Sequence, residues 1–175
     1  MAWPPREADR SPHGWVVAPD PDQPEEPVVH LPRRRGIWYL TFRYRFRAVL
    51  PGPLGIVWML RLDEDASLAP VYTIVAVSSS APDALEQSTT ITAERLRQLG
   101  RQGWFYVIAE GFEVPVAGPL PASCYVEWRN TGSYQWGLWL KTVIGLSAPL
   151  LEGALPADRT LRVRLSEPSQ RPPAE

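Results

Sequence analysis

Along residues 37–47 the side chains alternate in kind: Trp38, Leu40, Phe42, Tyr44 and Phe46 fall on one side of an extended backbone, and Thr41, Arg43, Arg45 and Arg47 on the other. A period of two belongs to strands, and an apolar face opposite an arginine face predicts a half-buried antiparallel strand. The pattern returns in Leu54–Leu62, with Ile56, Trp58, Leu60 and Leu62 on one face. Pro51-Gly52-Pro53 between the two segments forces a turn, so the pair predicts a β-hairpin.

Further strands follow by the same reasoning. Val71–Val77 is apolar on both faces, as in a strand covered from both sides, while residues 83–91 have no clear period. Thr92 is placed to cap a short helix, Ala93–Leu99, closed by Gly100. Trp104–Glu110 reads as a strand that continues through Phe112–Val116 after a bulge at Gly111, and the segment 115–121 reads as a loop. Cys124–Arg129 and Tyr134–Leu146 are joined by Asn130-Thr131-Gly132-Ser133, which suits a tight hairpin, and Trp136, Leu138, Leu140 and Ile144 share a face of the second strand. Thr160–Ser166 sets Leu161, Val163 and Leu165 against Thr160, Arg162 and Arg164, an edge-like pattern.

Seven strands, two or three further candidates and one short helix predict an all-β fold. Sheets of that many strands seldom stay open, so a two-sheet antiparallel sandwich or a barrel is expected, with a jelly roll as the form that suits the count. An immunoglobulin-like sandwich is the competitor, but its Cys…Trp…Cys spacing is absent.

Proline divides the chain. Eight of its 20 prolines lie in residues 1–35, at positions 4, 5, 12, 19, 21, 24, 27 and 32, a density that excludes helix and favours extended backbone. The expected organisation is an extended arm over residues 1–35, a β-domain over 36–166 and an extended or disordered tail over 167–175. Trp15-Val16-Val17 and Val28-Val29-His30-Leu31 in the arm could each add a strand to a sheet edge.

Charge and composition exclude several functions. The formal net charge is −1, which does not supply the basic excess of a nonspecific nucleic-acid binder. Of 18 basic residues only Lys141 is lysine, and Asn130 is the sole asparagine; this usage suggests a GC-rich and thermophilic source. No apolar run approaches the roughly 20 residues of a membrane span, and the N-terminus lacks a signal-peptide core, so a soluble, unexported chain is expected. The single Cys124 rules out an intrachain disulfide framework.

Catalytic constellations are equally sparse. His13 and His30 are the two histidines, and both lie in the arm, away from a rigid scaffold. Glu110, Glu113 and Glu127 lie in or beside strands and could pair as a glycosidase's acid and base, given two facing carboxyls about 5–10 Å apart. Asp63-Glu64-Asp65 lacks the spacing of a calcium loop. No catalytic, metal or cofactor-binding residue is assigned, and no cofactor is expected.

The remaining features point to association. Trp15, Trp136 and Trp139 and the run Arg33-Arg34-Arg35 are the candidate interface residues, since tryptophan and arginine are favoured anchors of protein contacts. Asp20, Asp22, Glu25 and Glu26 lie just upstream, so the acidic arm of one subunit could meet the arginine run of a neighbour. With its strands, its proline-rich arm and its lack of catalytic groups, the chain resembles the single jelly-roll capsid or decoration proteins of bacterial viruses, particularly those of thermophilic hosts. That resemblance implies a non-enzymatic capsid, decoration or spike subunit of a virion, assembled in the host cytoplasm with itself and other shell proteins. The alternative is a carbohydrate- or receptor-binding module presenting a row of exposed rings to a surface glycan. A β-sandwich glycosidase comes third.

Overall fold

A computed structural model of the chain describes residues 16–31, 39–48, 52–62, 71–80, 83–100, 103–114, 122–131, 138–147 and 155–170. Among the described residues there are eleven strands: β1 (Val16–Pro19), β2 (Pro27–Leu31), β3 (Tyr39–Ala48), β4 (Gly52–Leu62), β5 (Val71–Ser80), β6 (Asp83–Thr92), β7 (Phe105–Val114), β8 (Ala122–Thr131), β9 (Leu138–Ser147), β10 (Thr160–Arg164) and β11 (Ser169–Gln170). A helix, α1 (Ala93–Gly100), separates β6 from β7. The strands form two sheets, one of six in the order β1-β2-β9-β4-β7-β10 and one of five in the order β11-β6-β5-β8-β3. The expected all-β two-sheet sandwich is therefore the fold. Its pairing is antiparallel except at one edge, where β10 runs parallel to β7. A jelly roll in particular does not follow from this order.

One core lies between the sheets. Ile56, Trp58 and Leu60 of β4 and Phe105, Val107 and Ala109 of β7 meet Phe42 of β3, Ile74 and Ala76 of β5 and Val126 and Trp128 of β8, all essentially without solvent exposure. Trp58 and Trp128, one from each sheet, pack with ring centroids 5.6 Å apart and planes tilted by 60°. Each buried valine, leucine, isoleucine or phenylalanine stabilises the fold by about 1.5–3 kcal/mol through burial alone. Leu96 of α1 is also wholly buried in this core, and Thr92 Oγ1 accepts the Arg95 backbone N–H at 3.5 Å, as the expected cap.

Both expected hairpins are corrected. β3 pairs with β8 and lies in the five-stranded sheet, whereas β4 pairs with β7 and β9 in the other; the Pro51-Gly52-Pro53 segment therefore joins sheets, not neighbours. β8 and β9 are likewise in different sheets. A proline–glycine break shows that the chain turns, but not whether the next strand returns beside the last or crosses to the facing layer. Residues 83–91 were without a period because inner positions of β6 carry polar side chains. Gln87 is 4% exposed, and its amide nitrogen donates to the carbonyl oxygens of Gly111 (2.6 Å) and Ser166 (3.0 Å), while its oxygen accepts the Glu113 N–H (2.8 Å). Gln87 thus ties the five-stranded sheet to β7 of the other.

The bulge expected at Gly111 is present. Leu54 pairs with Phe112 but Ile56 with Ala109, and Gly111 adopts φ +86°, where a residue with a side chain would be strained. A second irregularity lies between Met59 and Leu60 of β4, which pair with Thr142 and Leu140, so that Lys141 is the extra residue of β9. The alternation read straight through from Leu138 to Ile144 is interrupted there.

Residues 165–170 link the two sheets at one side. After β10, Leu165 donates its N–H to Glu110 O in one sheet and Ser166 donates its N–H to Ser88 O in the other, each at 2.9 Å. Three residues after Ser166, β11 begins and pairs with β6. The edge expected for Thr160–Ser166 is correct for β10, and Ser169–Gln170 of the tail are paired. At the opposite side residues 16–31 of the arm form a hairpin: β1 and β2 pair with each other, and β2 pairs with β9. The two segments expected to add to a sheet edge do so on the chain's own sheet.

Candidate functional site

The outer face of the five-stranded sheet carries a cluster of charge on β3 and β8. Alternation along β3 turns Phe42 into the core and Arg43 and Arg45 outward, and on β8 it turns Val126 and Trp128 inward and Tyr125, Glu127 and Arg129 outward. Register sets Arg43 opposite Glu127 and Arg45 opposite Tyr125. Glu127 is 1% exposed although it points away from the core, because guanidiniums close over it from two directions. Arg43 Nε donates to Oε1 at 2.5 Å and Arg43 Nη2 also contacts that oxygen. Arg129 Nε and Nη2 reach Oε2 at 2.7 and 2.6 Å. The Arg43 guanidinium also lies 4.3 Å from the centroid of the Tyr125 ring, a cation–π contact. Arg45 is exposed.

The outer face of the six-stranded sheet is organised by the loop between β1 and β2. Asp20 is 1% exposed; its Oδ1 accepts the backbone N–H groups of Asp22 (2.8 Å) and Gln23 (3.3 Å), and its Oδ2 lies 3.1 Å from Lys141 Nζ. Lys141 also reaches Glu26 at 3.4 Å and lies 5.5 Å from the Trp104 ring centroid. Asp22 accepts from Arg61 of β4 at 2.5 Å. The bulge at Lys141 aims the chain's sole lysine at this loop. Burial pushes the Asp20 carboxyl up, but the Asp22 N–H, the Lys141 ammonium and the Gln23 N–H outweigh it and hold the group below its ordinary 3.8. Burial likewise pushes Lys141 down, and its pairing with Asp20 and Glu26 more than reverses this.

A pH dependence follows from that direction. A carboxyl whose folded value is depressed stabilises the fold well above 3.8 and loses that contribution as the pH falls through the folded value. Asp20→Asn is expected to destabilise the protein by about 1.5–3 kcal/mol at pH 7, the range for hydrogen bonds to a charged group. In denaturant titrations the gap between wild type and variant should narrow as the pH drops below 3.8. A gap of constant size would mean that the charge of Asp20 is not the source.

Of the expected interface residues, Trp15, Arg33, Arg34, Arg35 and Trp136 lie outside the described residues, as do His13 and Asp63-Glu64-Asp65. Trp139 is placed on β9 and stacks on His30 of β2, with ring centroids 3.8 Å apart and planes 9° from parallel. His30, expected on an unanchored arm, is therefore held in a strand. Asp20, Asp22 and Glu26 of the acidic arm are engaged by Lys141 and Arg61 of their own chain.

The strand carboxylates are divided between the two sheets. Glu127 is on the outer face of one sheet, while Glu110 is on the outer face of the other, paired with Arg162 at 2.6 Å. Glu113 is exposed, beyond the Gly111 bulge of β7. No row of open rings is seen among the described residues either. Trp58 and Trp128 are core, and Trp139 and Trp104 each have a ring face engaged, by His30 and by Lys141. Among the described residues no helix is long and apolar enough to cross a membrane. What sequence reasoning missed is the arginine–glutamate cluster: the alternation of Arg43 and Arg45 was visible, but only the pairing of β3 with β8 brings Glu127 and Arg129 beside them. No protein-family model matches the chain, and no curated protein matches it either.

Proposed function

We propose that the protein is a non-enzymatic structural subunit that associates with copies of itself and with other chains through the outer surfaces of its two sheets, as a shell, decoration or spike component of a virion. The observation that supports this reading is where the charged side chains go. Glu110 and Glu127 are turned to opposite outer faces, and arginines engage both. The same faces carry arginine, tyrosine and tryptophan, the residue types that anchor protein contacts.

Light scattering on the purified chain is the test. A discrete mass at a multiple of 19.7 kDa is expected. A monodisperse monomer at the highest attainable concentration would overturn self-assembly.

A further inference from the structure

The geometry points to the β3–β8 half of the five-stranded sheet as a docking face for an extended acidic segment of another protein. The inference rests on the reading of the chain as a contact-making subunit and names the partner's chemistry.

Three guanidiniums, Arg43, Arg45 and Arg129, share this face with one carboxylate, Glu127. The excess of positive charge is local, since the chain as a whole carries −1. Glu127 engages Arg43 and Arg129 through Nε and Nη2, one edge of each planar group. A guanidinium has five N–H donors in a fixed fork, so the Nη1 donors of both are left for a ligand. Arg43 and Arg129 are 33% and 39% exposed. Their orientation is set in advance by the buried carboxylate, which lowers the entropy lost when an anion binds. Arg45, exposed and without an ion pair among the described residues, adds an uncompensated charge two positions from Arg43.

Those two positions select the ligand. Residues two apart on a strand are about 6.6–6.8 Å apart, and carboxylates at every second residue of an extended peptide repeat at the same distance. Two copies of the chain cannot join by apposing this face, because arginine would meet arginine. Single-stranded nucleic acid fits less well, since it needs open aromatic platforms, and the Tyr125 ring is already covered on one side by Arg43. Packing of partner carboxylates against the three arginines is charge-assisted and salt-sensitive.

The test uses the full chain and three dye-labelled probes read by fluorescence anisotropy: a peptide of alternating Glu and Thr, its Lys–Thr counterpart, and oligothymidylate. The Glu–Thr peptide alone is expected to bind, at least tenfold more weakly in high salt. Arg45→Glu is expected to weaken it at least tenfold and Arg45→Gln several-fold, with unchanged thermal midpoints, because Arg45 is exposed. Equal binding of the two peptides, tighter binding of the oligonucleotide, or indifference to both Arg45 variants would overturn the inference. A strict monomer that binds the acidic peptide sinks self-assembly but not the docking face; an oligomer that ignores the peptide does the reverse.

Discussion

Removing residues 1–31 is expected to leave a chain that does not fold cooperatively, rather than a folded domain that merely fails to assemble. The deletion takes two strands from the six-stranded sheet and with them Val28 and Val29, both 0% exposed, the second packed in the main core. Their burial contributes about 3–6 kcal/mol at about 1.5–3 kcal/mol per side chain. Typical domains have a net stability of about 5–15 kcal/mol. The deletion also strands Lys141 and Arg61 without Asp20, Glu26 and Asp22, and opens the backbone of β9 along Leu138–Leu140, where β2 now pairs. Thermal unfolding followed by far-ultraviolet circular dichroism would reveal the loss as a missing or broad transition. A truncated chain that melts sharply at the full-length midpoint would show that the hairpin is dispensable to the domain.

The second large effect is expected from replacing both arginines that cover Glu127. Arg43→Met with Arg129→Met leaves a carboxylate that is 1% exposed with neither of its cationic partners. Breaking a buried pair from one side costs about 3–5 kcal/mol, because the remaining charge is neither solvated nor paired. Each single variant should lose much less, since the other arginine still holds one carboxylate oxygen. Adding Glu127→Leu to the double variant should restore most of the loss, because an apolar side chain of similar size tolerates the site. Chemical denaturation of the four variants measures this cycle. A triple variant no more stable than the double one would show that the arginine stems, packed over the sheet, mattered and the charge did not.

These expectations depend on residues whose parts were unequally visible in the sequence. The alternation in 37–47 determined that β3 is a half-buried strand with an arginine face, because the two-residue period is a property of local backbone geometry. Gly111 announced its bulge, and Thr92 its helix, for the same local reason: each rests on the conformation or the hydrogen bonds of one turn of chain. β6 was illegible because Gln87 sits on its inner face. A glutamine belongs there only when Gly111, Glu113 and Ser166 supply its partners, and they are 24 to 79 residues away.

The sequence by itself determined a β-rich domain, the strands with clean alternation, the Gly111 bulge and the one helix. Only the tertiary structure decided that β3 and β4, like β8 and β9, belong to facing sheets, that β10 lies parallel to β7, and that residues 16–31 of the proline-rich segment fold back as an edge hairpin. It also decided that Glu127, read from sequence as a strand carboxylate, lies beneath two arginines from different strands. The reason is physical: side-chain alternation is written in neighbouring residues, whereas the choice of pairing partner comes from burial and hydrogen bonds between segments far apart along the chain.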